Sequence, residues 1–297
     1  MDLEQKAIER IKLGALMSEQ YYNKPLICTY SGGKDSDVML ELFIRSGVNF
    51  EVINSHTTVD APQTVYHIRE KFKELEDKGI KATITYPTYK GKRTSMWDLI
   101  VEKAMPPTRT VRYCCQVLKE SNCANRAIAT GVRWDESNKR KKRKEFESLG
   151  KTLKEAVRVS DEVMLNSDNV DTRRLIERCE LQGKMVINPI IDWTNTDIWT
   201  YIRENRIGYN PLYDMGYRRV GCIGCPLSGF GGMTKGFSDF PAYRKNYIKA
   251  FDRMIARRIA TGKKTKWKTG EEVMKWWLNE KDYMSGQLSL LGPARSI

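Results

Sequence analysis

The 297-residue sequence predicts a doubly wound α/β fold with a mainly five-stranded parallel sheet and a small helical C-terminal region. Three observations predict it. Strand-like apolar runs recur between residues 25 and 191, stretches of helical periodicity separate most of them, and after Pro226 the pattern turns glycine-rich and then helical. Strand and helix in alternation imply right-handed crossovers and a sheet covered on both faces. A hydrophobic content of 40% is enough for a core, and 10% aromatics argue against disorder.

The chain opens on MDLEQKAIERIKLGALMSEQ, an amphipathic helix whose Asp2, Glu4 and Glu9 do not fit a signal peptide. "PLICTY" (25–30) reads as the first strand, with helical spacing resuming from Val38 to Arg45. "FEVINSH" (50–56) is the second. The stretch from Pro62 then places Val65, Ile68, Phe72 and Leu75 on one helix face, with Pro62 suited to the first turn and Gly79 to the stop. "KATITYP" (81–87), "RAIATGVR" (126–133) and "MVINPII" (185–191) complete the strands. "PAYRKNYIKAFDRMIARRIA" and "TGEEVMKWWLNEK" read as the helices of the C-terminal region, giving expected domains at 1–230 and 231–297. No apolar run approaches the ~18 residues of a membrane helix, so a cytoplasmic protein without a membrane partner is expected.

The abrupt break between the first strand and its helix carries the chemistry. Ser31, Gly32, Gly33, Lys34, Asp35 and Ser36 gather two glycines, two hydroxyls and a cation where backbone N–H groups meet the positive end of a helix. That combination predicts a phosphate-binding loop; a tight turn with a helix cap explains Asp35 or Ser36 alone. It is not a Walker A loop, because Asp35 follows the lysine and Cys28 stands where the first glycine belongs. Asp35 is expected to orient the loop, cap the helix or hold Mg²⁺. Arg133, ending the fourth strand, is the expected two-point phosphate ligand.

Seven cysteines without an export signal read as thiols or metal ligands. Cys114–Cys115 and Cys222–Cys225 form two pairs, for which a [4Fe–4S] cluster is expected, with zinc as the runner-up. Cys28, Cys123 and Cys179 read as packing residues. The run Asn138–Lys144, "NKRKKRK", has six basic residues in seven; with the net charge of +14 it suggests an exposed loop steering an anionic partner, nucleic acid among them.

"SGGKDS" resembles the SGGxDS pyrophosphate loop of the adenine nucleotide α-hydrolase superfamily. "NSHTTVDAPQT" (54–64), "GVRWDESNKR" (131–140) and the segment 187–226, ending in GYRRVGCIGCP, narrow the resemblance to the phosphoadenosine phosphosulfate reductase family. It implies an enzyme that binds ATP or phosphoadenosine phosphosulfate for sulfur transfer or sulfonucleotide chemistry. Nucleotide contacts then fall on Ser31–Ser36, Asn54, His56, Asp60 and Arg133. The paired cysteines are similar to those of cluster-containing sulfonucleotide reductases and DNA-phosphorothioation sulfurtransferases, which also implies a sulfur-donor protein. A thioredoxin-dependent reductase and a non-catalytic nucleotide- or nucleic-acid-binding protein are the alternatives. Reductases of the family use a cysteine near the C-terminus as nucleophile, and here no cysteine follows Cys225, so little sulfite formation is expected.

Overall fold

The structure, a computed structural model, describes residues 2–120, 123, 125–138, 140–149 and 184–278. Cys179, Lys139 and the tail beyond Leu278 lie outside the described residues. Eight strands are described: β1 (Leu26–Thr29), β2 (Phe50–Ser55), β3 (Ala82–Thr85), β4 (Thr88–Tyr89), β5 (Lys92–Arg93), β6 (Arg126–Ala129), β7 (Phe146–Leu149) and β8 (Lys184–Ile187). β4 and β5 make a separate antiparallel pair; the other six form one sheet in the order β3-β2-β1-β6-β8-β7. β1 runs parallel to β2 (Leu26 beside Phe50) and to β6 (Ile27 beside Ile128), and β6 runs parallel to β8 (Ala127 beside Met185). The five strands expected from the apolar runs all stand in this mostly parallel sheet.

Side chains alternate across it with period two. Leu26, Cys28, Val52, Ala127, Ala129, Met185 and Ile187 enter the larger core, while Ile27, Ile128 and Val186 pack with Ile53 and Cys123 on their own. Helix α1 (Leu3–Tyr22) lies along α2 (Lys34–Ser46) and against β1, β6 and β8. α2 starts where Gly33 holds an extended backbone, carries Asp35 and Asp37 at its positive end, and stops at Gly47 with φ of 68°. Helix α3 (Pro62–Asp77) contributes Ile68, Phe72 and Leu75 to the larger core.

The sixth strand was not legible as a strand, and it follows the run expected to be an exposed loop. Arg140–Lys142 forms a 3-10 turn, and β7 pairs antiparallel with β8, Phe146 beside Ile187. Acidic residues four positions away account for the ordering: Arg140 pairs with Glu136, and Arg143 with Glu147 at 2.7 Å. The Asn188 N–H donates to Glu145 O at 2.8 Å, fixing the strand's entry. Phe146, 5% exposed, is the apolar residue that the surrounding charge hides in the sequence.

The chain divides into two compact units. The first gathers the described residues of Met1–Asn54, Gln63–Thr85 and Asn122–Val220, including the six-stranded sheet save the last residue of β2 and helix α6 (Asn195–Glu204). The second gathers those of Ser55–Pro62, Tyr86–Ser121 and Gly221–Ile297. Its helices are α4 (Met96–Lys103), α5 (Tyr113–Cys115), α7 (Gly229–Asp239), α8 (Pro241–Ala260) and α9 (Gly270–Trp277). Trp277 is the anchor of this second unit. Its ring meets those of Phe237, Tyr247 and Phe251, and its Nε1–H donates to Pro107 O at 2.7 Å. Burying such a side chain contributes roughly 2–3 kcal/mol. Among the described residues no helix is long and apolar enough to cross a membrane.

Candidate functional site

In the first unit, the loop Ser31–Ser36 joins the carboxyl end of β1 to α2, at the point where β1 has β2 on one side and β6 on the other. Ligands of open parallel sheets bind at such reversals of strand order. Gly32 has a φ of +71°, and a Cβ there would stand 2.8 Å from Ile68 Cγ1, so only glycine fits both the turn and the neighbouring helix. Gly33 is freer: its nearest neighbour would be Tyr213 Oη at 3.4 Å.

Ser36 organises the loop. Its Oγ accepts from Gly33 N–H at 3.1 Å and Ser31 N–H at 3.3 Å, and donates to Gly33 O at 2.7 Å. The Lys34 N–H donates to Tyr213 Oη at 3.0 Å. Three loop donors are thus turned onto hydroxyl oxygens. Asp35 lies between two cations: Lys34 Nζ reaches both its oxygens at 3.0 Å, and Arg133 Nε donates to Oδ1 at 2.7 Å. Arg133 is 3% exposed and also donates to Trp193 O at 3.2 Å. Its guanidinium holds Asp35 rather than standing open in solvent.

Below the loop, Asn54 Nδ2 donates to Tyr30 O at 2.8 Å. Tyr30 Oη donates to Asp37 Oδ1, and His67 Nε2 lies 2.9 Å from that same oxygen and 3.0 Å from Tyr30 Oη. Burial, then the Asp37 charge, pushes the Tyr30 phenol well above its ordinary range. His56 and Asp60 belong to the second unit, where the His56 ring meets Tyr86 edge-on and its Nδ1 is 3.8 Å from Asp60 Oδ2. Asp60 Oδ2 also accepts from Thr57 N–H at 3.0 Å.

The cysteine expectation needs correction. Cys114, Cys115, Cys222 and Cys225 all lie in the second unit, near enough to perturb one another. Among the described residues, however, no group of three or more His, Cys, Asp or Glu side chains is placed to hold a metal ion. That finding overturns the [4Fe–4S] cluster, the zinc alternative and a protein-held Mg²⁺. The thiols have other partners. Cys114 and Cys115 hydrogen-bond each other, which raises Cys114 and lowers Cys115; Arg112 Nη2 stands 3.5 Å from Cys115 Sγ. Cys222 lies 3.5 Å from Thr57 Oγ1, and burial pushes its thiol up to about 11. Attraction to Cys222, then to Asp60, Cys115 and Cys225, pushes the Lys119 ammonium upward.

Sequence reasoning missed Tyr213 and Asn210. Asn210, fully buried, donates through Nδ2 to Gly32 O at 2.8 Å and Thr64 Oγ1 at 3.0 Å. Both residues sit in "YNPLYDMGY", inside the longest stretch of family resemblance, which was the available signal. The buried Tyr30–Asp37–His67 cluster had none, since its members lie 7 to 37 positions apart.

The sequence profile of the phosphoadenosine phosphosulfate reductase domain matches residues 25–228. The chain belongs to that family. The uncharacterized protein MJ0066 of Methanocaldococcus jannaschii is 26% identical over 228 residues, covering 73% of this chain and 39% of that protein. A second protein of that organism, MJ0973, is 28% identical over 230 residues, covering 76% and 47%. The chain therefore spans less than half the length of both. An adenosine 5'-phosphosulfate reductase of Lysinibacillus sphaericus is 24% identical over 221 residues, covering 72% and 78%. Among solved structures, phosphoadenylyl-sulfate reductase from Candida auris superposes with a TM-score of 0.46 and 19% identity, over 73% of this chain and 88% of that one.

Proposed function

We propose that the chain is an adenine-nucleotide-dependent enzyme whose loop Ser31–Ser36 holds the phosphates of ATP or the phosphosulfate of phosphoadenosine phosphosulfate. The observation that carries this reading is the loop's geometry at the head of α2. Three donors, the N–H groups of Ser31, Gly33 and Lys34, are presented to hydroxyl oxygens, which phosphate oxygens can replace, and the helix's positive end stands behind them. Arg133 and Lys34 tie down Asp35 and keep its negative charge from repelling the ligand. Asn54 supports the loop through Tyr30. The reaction favoured is adenylation of an acceptor followed by sulfur transfer, with a sulfur-donor protein and a nucleic-acid acceptor as partners. Calorimetry with ATP and with phosphoadenosine phosphosulfate tests the binding. Gly33→Val is expected to abolish it, and equal affinity of wild type and variant would place the phosphates elsewhere. Pyrophosphate release marks adenylation. A second reading, reduction of a sulfonucleotide, draws support from the Lysinibacillus sphaericus relative, and sulfite release would select it.

A further inference from the structure

One cavity in the first unit is not used by the nucleotide loop itself. It measures about 610 Å³, within the size range of small-molecule sites, and four aromatic rings contribute to its lining: Trp199, Tyr209, Tyr213 and Tyr217. Trp199 meets Tyr209 and Tyr213 edge-on, at 5.3 and 5.1 Å between centroids and 89° and 88° between planes. Edge-on packing fixes each ring against the next. Hydrogen bonds fix them further: Tyr209 Oη donates to Asp214 Oδ1 at 3.0 Å, and Tyr213 Oη accepts from Lys34 N–H. The second of these bonds joins the cavity wall directly to the phosphate loop.

The polar contribution is equally specific. Asn195 and Arg218 reach the lining, an amide able to donate and accept beside a guanidinium. Next in sequence stands Arg219, so that two adjacent arginines follow the cavity's last aromatic residue. Adjacent cations attract a polyanion. Rigid aromatic walls with such a basic flank combine the two features of single-stranded nucleic-acid sites, ring faces on which bases stack and cations that follow the backbone.

We propose that this cavity receives one base of a single-stranded nucleic acid, which makes the strand the acceptor class of the enzyme. The inference rests on the adenine-nucleotide reading above. Tyr213 then serves two neighbours, closing the phosphate loop with its hydroxyl and bounding the base pocket with its ring. A free aromatic metabolite is less favoured because it would make no use of the adjacent Arg218 and Arg219.

The test compares a labelled single strand, as DNA and as RNA, with an abasic strand of equal length, by fluorescence anisotropy at fixed salt. Both carry the same phosphates, so their difference reports the base. The wild type is expected to bind the base-bearing strand of one or both sugars about tenfold more tightly than the abasic one. Tyr217→Ala, at the cavity, and Trp199→Leu, whose ring also touches the core, should each reduce that preference to about twofold or less. Equal affinity of the wild type for both strands, or a preference surviving Tyr217→Ala, overturns the proposal. So does displacement of the strand by ATP together with weaker ATP binding by Tyr217→Ala, which would give the cavity to the adenine of ATP. Calorimetry with ATP alone reports separately on the nucleotide reading: absent ATP binding by the wild type overturns that reading, whereas equal strand affinities overturn the pocket.

Discussion

The Asp35 carboxylate accepts a 2.7 Å hydrogen bond from Nε of Arg133, 98 positions further along the chain. One residue opens the helix after β1 and the other follows β6, so this bond ties together the ends of two adjacent parallel strands. Removing the buried guanidinium leaves Asp35 with Lys34 alone. Arg133→Met is therefore expected to cost about 3 kcal/mol in urea unfolding, and Asp35→Asn less. A double-mutant cycle should return a coupling of about 2 kcal/mol, whereas additive losses would mean that the pair does not support the loop.

The two loop glycines should differ sharply. Gly32→Ala meets both a left-handed backbone and Ile68 at 2.8 Å, and is expected to lose at least ~2 kcal/mol of stability. Gly33→Ala has ordinary space and no positive φ, so its melting temperature should stay close to that of the wild type. Calorimetric unfolding of the two variants checks this, and comparable losses would contradict the geometry.

Tyr30→Phe probes the buried cluster. The phenol donates to Asp37, whose other oxygen, Oδ2, has no hydrogen-bond partner among the described residues. Deleting the hydroxyl leaves a buried carboxylate with one contact fewer, an expected loss of about 1–3 kcal/mol. An unchanged urea midpoint would show that His67 alone satisfies Asp37.

A pH dependence follows from Glu51, 6% exposed. Desolvation pushes its carboxyl up, but hydrogen bonds from Arg126 and Lys81 outweigh it, so the folded value lies below the ordinary one. A depressed carboxylate contributes stability that is present above its unfolded value and lost as pH falls through the folded value. Glu51→Gln should thus be destabilised by about 2 kcal/mol at neutral pH, between the figures for exposed and buried pairs. The gap from wild type should close as the solution becomes more acidic than the carboxylate range. A gap that persists in acid would assign the loss to packing.

Much of the fold was legible because period-two and helical patterns are local. Leu26–Thr29 and Phe50–Ser55 read as strands from their own side chains, and Pro62 announced α3 at its first residue. β7 was not legible, since it owes its pairing to β8 and its short run FESL carries only a weak apolar signal. At the candidate site the glycines revealed the turn, but the partners did not reveal themselves. Arg133 reads in sequence as an open phosphate ligand, and only the fold shows it buried against Asp35. The paired cysteines illustrate the opposite error: spacing suggested a metal, while the geometry supplies Arg112 and Thr57 as partners.

The strand order has a consequence for how the chain is made. β1 has β2 on one edge within the first 55 residues, but its other edge pairs with β6, about a hundred residues downstream. At ribosomal rates that interval is roughly 5–20 s. During it the N-terminal strands and their helices can assemble, yet the central strand, with Ile27 and Cys28 at its middle, presents an open edge to solvent or to a chaperone. β6 in turn waits for β8. The sheet is complete only when β8 enters between β6 and β7, so slowing synthesis between residues 55 and 126 should increase aggregation of the nascent chain, whereas slowing it after residue 187 should not.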